Sequence, residues 1–349
     1  MVIDSKEWAY WDDLELHRSI DTHPTVGFSA PFDTDRREMR DTFRPFSYKP
    51  FQVLIGGAPI FTGQLIDVTP NSEPGSAVVS CGAYSKAAQL EFNNLPGDLV
   101  PFEAAGQSLA QIATRLASIW NVGVVMKAPG GDAFRKVKTR QKQTDTTADH
   151  DQKVDDFLVE LAKQRGLVRT SDVNGDLVFW QSIEPGNPVA RLIEGEAGLV
   201  SVAATFNPAD YYSEITGFTS TKKGNPGARY TERNQRLSGG ILRAHSFKLE
   251  DVEKGDGPAA VKAKMARMFA NAVSFVVSIP SWRNAAGELW EPNTTITLLA
   301  PRAMIYTETE FLIRDVYLKQ SNEEQTGSLG LVLPGAFSGA QPDRMPWEE

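Results

Sequence analysis

The chain has 349 residues, enough for two or three domains rather than one core. Its hydrophobic fraction of 41% and charged fraction of 23% exclude wholesale disorder. The net charge of -8 excludes a nucleic-acid-binding surface spread over the whole molecule, because phosphate binding rests on clustered Lys and Arg. The start, Met1 to Trp8, has neither the basic opening nor the apolar stretch of a secretory signal, and no run of about 18 apolar residues occurs anywhere. A soluble protein made and kept in a cytoplasm, without membrane insertion, is expected.

From Trp8 to about Gly97 short apolar β-segments alternate with turn residues. Phe51 to Ile55 and Pro59 to Val68 flank Gly56-Gly57, a strong hairpin signal. After the turn-rich Pro70 to Gly75 comes Val78 to Cys81. An antiparallel barrel or sandwich over residues 1–97 is expected. The single cysteine, Cys81, excludes an internal disulfide and lies in an apolar run, where it reads as a small buried hydrophobe.

The centre changes character. Ser108 to Gln111 has the form of a capping box, and Leu109, Ile112, Ala113, Leu116, Ile119 and Trp120 recur at helical spacing. A strand, Asn121 to Met126, comes next. A second helix is marked by Val154, Phe157, Leu158, Leu161 and Ala162, with Gly166 placed to end it. Leu167 to Arg169 and Leu177 to Trp180 then flank Asn174-Gly175, a pair suited to a type I′ turn. Two small helix-and-strand modules, 98–148 and 149–196, are expected.

From about Gly198 the β-pattern returns, giving a second β-barrel domain over 197–339. Leu199 to Phe206 and Tyr211 to Thr219 are expected strands, and Lys222 to Gly240 a mobile polar loop. Gly257-Pro258 opens a helix carrying Val261, Met265, Met268, Phe269 and Ala272 on one side. Strands are expected at Val273 to Ile279, Thr294 to Leu299, Met304 to Tyr306, Glu310 to Leu318 and Leu329 to Leu333. Residues 340–349 read as an unpacked tail. The fold class is therefore mixed and mainly β with an α+β centre: two similar antiparallel β-barrel domains bracketing two small helix-and-strand modules. The similarity rests on spacing: strand, turn, long strand, polar turn and strand occur in both outer regions.

Chemistry-bearing patterns are sparse. His17, His23, His150 and His245 lie far apart and show no metal-ligand spacing, and no phosphate loop, dinucleotide turn or nucleophile elbow is present. The carboxylate pairs Asp12-Asp13, Asp33 with Asp35, and Asp155-Asp156 are the candidates for acid–base work. Adjacent acids diverge in direction on a strand or a helix, so they read better as solvated or capping groups, Asp155 and Asp156 in an early helical turn. The run Phe134 to Lys142, dense between Arg135 and Lys142, could touch DNA in a channel or an acidic partner. An exposed edge kept soluble by lysine is the plainer reading. Trp282 and Trp290 flank a turn and suit anchoring better than sugar stacking. No catalytic, cofactor-binding or metal-binding residue is assigned, and no cofactor is expected.

The order of domains, together with Phe51 to Gly57, Phe61 to Asp67 and Gly287 to Asn293, resembles the baseplate hub proteins of Mu-like contractile phages and prophages over nearly the whole chain. That resemblance implies a non-enzymatic structural subunit of the virion tail, assembled in the bacterial host cytoplasm as a homotrimer. Two related barrels per subunit would match a sixfold tail tube to a threefold central spike, with neighbouring baseplate proteins as partners and DNA passing through a channel without sequence-specific binding. A cell-wall or polysaccharide-degrading tail enzyme, which needs a cleft with two acids, and a carbohydrate- or receptor-binding tail module, which needs exposed aromatics, are the alternatives.

Overall fold

A computed structural model describes residues 1–73, 76–100, 102–103, 107–127, 147–148, 151–163, 166–220, 226–237, 242–249, 257–337 and 344–348. The basic run Phe134 to Lys142 and His150 lie outside the described residues.

The first region holds strands β1 (Val2–Ile3), β2 (Lys6–Glu7), β3 (Asp13–Ser19), β4 (Thr25–Pro31), β5 (Pro50–Ile55), β6 (Ala58–Glu73) and β7 (Ser76–Ser85), with helix α1 (Arg37–Thr42) between β4 and β5. As expected, β5 and β6 turn at Gly56-Gly57, both at positive φ, with Ile55 opposite Ala58. β3 alternates buried and exposed residues from Asp13 to Leu16, the period-2 pattern of a strand with one wet face.

The centre contains helix α2 (Gln89–Phe92), β8 (Phe102–Glu103), helix α3 (Leu109–Ala117), β9 (Val124–Lys127), β10 (Thr147–Ala148), helix α4 (Val154–Lys163), β11 (Val168–Ser171) and β12 (Leu177–Trp180). The capping box forms: Ser108 Oγ accepts from the Gln111 N–H and Gln111 Oε1 from the Ser108 N–H. α4 ends at Gly166, whose N–H donates to Lys163 O. The two expected modules are one. β9 pairs in parallel with β12, which pairs with β11, and Leu109, Ile112, Leu116, Phe157, Leu158, Leu161 and Phe179 share a single buried cluster. Neither helix could cover its apolar face with its own strands alone, so the pieces pool them.

The Asn174-Gly175 turn also differs from a two-residue type I′ turn. Ser171 pairs with Leu177, leaving a five-residue loop that Asp172 organises by accepting from the N–H groups of Asn174 and Asp176. Gly175 has φ +82, and a Cβ there would come within 2.6 Å of Thr62 O, so only glycine lets this loop lie against the first region.

The last region comprises β13 (Ala190–Ile193), β14 (Ser201–Phe206), an inserted sheet of β15 (Glu214–Ser220), β16 (Pro226–Arg233) and β17 (Ala244–Leu249), helix α5 (Gly257–Ala272), and then β18 (Val273–Ile279), β19 (Thr295–Ala300), β20 (Ile305–Ser321) and β21 (Gln325–Val332). Helix α5 buries all five apolar residues named from its sequence, Val261, Met265, Met268, Phe269 and Ala272. Part of the polar stretch expected as a mobile loop is strand β16, paired with β15. Part of the expected tail packs: Met345 is buried, and Trp347 lies edge-on to Phe206 at 5.1 Å.

The fold is mainly β, as expected, but the described residues do not form two closed, separate barrels. A 13-stranded sheet runs through both outer regions, joined where β20 pairs with β3. One hydrophobic cluster spans them, from Phe28, Phe51 and Phe61 to Phe275, Ile296 and Phe311. Within the sheet the first half has the neighbour order β3-β4-β7-β6-β5-β1 and the second β14-β18-β21-β20-β19-β13. These are the same six-strand path, met in the same chain order. The halves differ where β1 runs antiparallel to β5 but β13 parallel to β19.

Candidate functional site

Among the described residues, a group of buried polar side chains lies where the central module meets the turn between β3 and β4. His23 from that turn, Asp155 from the first turn of α4 and Arg169 from β11 are 4%, 2% and 7% exposed, and Glu91 of α2 closes the group. His23 Nδ1 lies 2.5 Å from Ser171 Oγ, which is 2.7 Å from Ser85 Oγ of β7. His23 Nε2 lies 3.4 Å from Asp155 Oδ1. The Arg169 guanidinium donates to Asp155 Oδ2 and sits 3.1 Å from Glu91 Oε1.

Burial sets the charges. It drives the pKa of the His23 imidazole down to about 4, with the Arg169 charge pushing the same way and Asp155 opposing both. Burial would raise the Asp155 carboxyl, but the hydrogen bond from His23 and the Arg169 charge hold it below its ordinary value. Glu91 is raised, chiefly by burial. At neutral pH a neutral His23 carrying its proton on Nε2 faces Asp155 and accepts from the Ser171 hydroxyl.

Serine, histidine and aspartate in contact are the parts of a hydrolytic relay. Here all three are shut away from solvent, and the Asp155 carboxylate is engaged by an arginine. His23, Glu91 and Asp155 also have ligand atoms within 4.8 Å of one another. The Arg169 guanidinium already provides a positive charge between the two carboxylates, 3.1 Å from Glu91 Oε1 and donating to Asp155 Oδ2. What the arrangement does is join. Thr170 Oγ1 donates to Ser19 O at 2.9 Å and Thr22 O at 2.7 Å, and Trp180 Nε1 donates to Ile20 O at 3.0 Å. Asn293, at φ +62, accepts from Ile183 N at 2.8 Å and donates to Gln181 O at 3.1 Å, tying the end of the module to the second half.

Sequence reasoning reads Asp155 as a solvated or capping acid; the structure keeps it in the first helical turn but buries its side chain in an ion pair. Its neighbour Asp156 is exposed. Nothing local marks this group, because His23 and Ser171 are 148 residues apart. The remaining candidates are dispersed. His17 stacks on Tyr317 at 4.2 Å and lies 3.3 Å from Asp315; His245 packs against Tyr212 at 5.0 Å. Asp33 accepts from the Asp35 N–H and pairs with Arg36, and Asp13 accepts from Ser29. Cys81 is buried, its thiol pushed up to about 12. Trp282 and Trp290 are buried, with their indole N–H groups on the carbonyls of Lys319 and Thr326 and of Ser281. They anchor a turn, as expected, and are closed to sugars. No helix among the described residues is long and apolar enough to cross a membrane.

Comparison with known proteins places this junction in context. Residues 98–181, the merged module, match the family described as baseplate hub protein gp44-like, second domain. The chain is 24% identical over 343 residues to baseplate hub protein gp44 of Escherichia phage Mu, covering 92% of this chain and 83% of that one. The crystal structure of a 43 kDa tail protein of prophage MuSo2 from Shewanella oneidensis superposes with a TM-score of 0.78 at 19% identity, over 96% of this chain and 97% of that one. A tail protein from Neisseria meningitidis MC58 gives 0.77 at 16% identity, over 97% and 96%.

Proposed function

Because this chain is a homologue of the Mu-like baseplate hub and tail proteins, we propose that it is a structural, non-enzymatic subunit of a phage tail baseplate, acting as a homotrimeric adaptor between a sixfold tail tube and a threefold central spike. The observation that carries this reading is the shared strand path of the two halves. Three copies of a chain holding two like-ordered halves present six similar positions around an axis, while the inserted sheet β15 to β17, found in the second half alone, recurs three times.

The sheet also suggests how copies join. Inside one chain, β3, the first long strand of the first half, pairs with the far end of β20, from Asp315 to Ser321. The counterparts are β14 and the far end of β6, from Asp67 to Glu73, and among the described residues neither has a partner on its outer edge. Pairing β14 of one copy with β6 of the next repeats the internal joint between molecules and closes a ring after three copies. Asn207 N donates to Ala272 O at 2.8 Å. Antiparallel pairs alternate, so the N–H groups of Phe206, Ala204 and Val202 point away from β18, toward that free edge.

A non-enzymatic role agrees with a Ser-His-Asp group closed to substrate and with tryptophans used as anchors. The test is electron microscopy of the purified protein: a ring with threefold symmetry, approaching sixfold at the level of the large sheets, supports the adaptor. A single-copy particle with an open acidic cleft would favour the degrading enzyme instead.

A further inference from the structure

Beside the buried His23 group lies a cavity of about 320 Å³, room for ~10 waters at about 30 Å³ each. Its wall brings together Lys163 at the end of α4, Arg267 on α5, Arg314 on β20 and Asp21 from the turn after β3. The charges do not balance. Arg169, which also lines it, is committed to Asp155 and Glu91, and the exposed Asp156 has no ion pair to either cation among the described residues. Asp21 lies 3.8 Å from Arg314, which is itself 3.7 Å from Asp315. Arg267 Nη2 and Arg314 Nε are buried with no hydrogen-bond partner, and Lys163 has no ion pair among the described residues.

Two cations thus face one cavity whose two other carboxylates leave them unpaired: Asp21 is shared with Arg314, and the exposed Asp156 pairs with neither. Of the two, Arg267 has its Nη2 buried and unpartnered while Lys163 stands at the rim; uncompensated buried charge is costly, and proteins ordinarily relieve it with a counter-ion. We propose that the cavity is a binding site for a tetrahedral oxyanion of the phosphate class, held by the Arg267 fork and Lys163 with Arg314 at its edge. A guanidinium offers two parallel N–H donors to such an anion, and an ammonium adds a movable point charge. The cost of gathering these cations shows in the groups themselves: burial lowers the pKa of Arg267, and burial with the nearby Arg267, Lys264 and Arg169 charges lowers that of Lys163, with Asp21 opposing in both cases. The floor is apolar, formed by Ala270 and Phe337 in the small cluster with Ile20 and Val168. Its cationic walls come from the central module and the second half, so a bound anion would pin the two together.

The probe is inorganic phosphate, titrated into the full chain by calorimetry and thermal unfolding, with sodium chloride holding ionic strength constant. The expected result is saturable binding and a rise in Tm, both lost in Arg267→Gln and weakened at least about tenfold in Lys163→Gln, the scale of one charge-assisted contact. Arg302→Gln, whose side chain is 91% exposed elsewhere, keeps both. Lys163 is on the exposed rim, so its variant carries the test should Arg267→Gln fold poorly. A phosphate response no larger than that of chloride, or one retained in full by Lys163→Gln, overturns the site.

Discussion

Asp67 faces Gly82 in the first half as Asp315 faces Gly330 in the second. Each aspartate directly succeeds the residue that bulges from its long strand, Ile66 in β6 and Arg314 in β20, where the register shifts. The short motifs are Leu65-Ile66-Asp67-Val68 and Ile313-Arg314-Asp315-Val316. A bulge twists a strand locally and re-aims the next side chains, so the same bend recurs at the same point of two like-ordered halves.

The glycines opposite leave room for that bend. A Cβ on Gly82 would stand 3.0 Å from Asp67 Oδ2 and 3.2 Å from its Cβ; one on Gly330 would stand 3.0 Å from Asp315 Cβ. Gly82→Ala and Gly330→Ala should each destabilise by about 1–3 kcal/mol, the ordinary cost of overpacking. Urea unfolding measures both, and similar costs are expected because the sites are structurally equivalent.

Arg169 is predicted to matter through the charge it leaves behind. Arg169→Met strands the buried Asp155 carboxylate and should cost about 3–5 kcal/mol. Adding Asp155→Leu should recover part of that loss, since the orphaned charge goes with it. A double-mutant cycle from denaturant midpoints checks the coupling, and additive losses would show that the pair does not act as a unit.

His23 makes folding sensitive to mild acid. Its folded pKa, about 4, lies below the ordinary 6.5, so the unfolded chain binds more protons between these values. Stability therefore falls as pH drops from about 6.5 toward 4. The loss attributable to this group is about 3 kcal/mol, because each pH unit between the two values is worth about 1.4 kcal/mol. Unfolding free energies of the parent and His23→Gln at pH 7 and pH 4 check this; the variant should lose about that much less on acidification.

The features legible in the sequence are those that depend on near neighbours. The Ser108 cap, the apolar faces of α3, α4 and α5, the Gly56-Gly57 turn and most strands of the outer regions are fixed by spacings of two to four residues. The merging of two expected modules was not legible, because β9 and β12 are joined only by tertiary pairing. Neither was the continuity of the large sheet, which rests on β20 meeting β3 from opposite ends of the chain. The buried site was the least visible: an isolated His23 and an Asp155 that resembles an ordinary helix-start acid become partners only when three segments meet. The pairing of Asp67 with Gly82 and Asp315 with Gly330 was hidden for the same reason, although a similar spacing of strands in the two halves could be seen.

The adaptor reading stands or falls on how many copies associate, and light scattering on purified protein at micromolar concentration measures that directly. The parent is expected near three times 38.3 kDa. Ala204→Pro, which removes an outward N–H from the free edge of β14 while leaving its bonds to β18, is expected to fold and to run as a single chain. A parent that is itself monomeric, or an Ala204→Pro variant that remains trimeric, would contradict the proposed joint between copies.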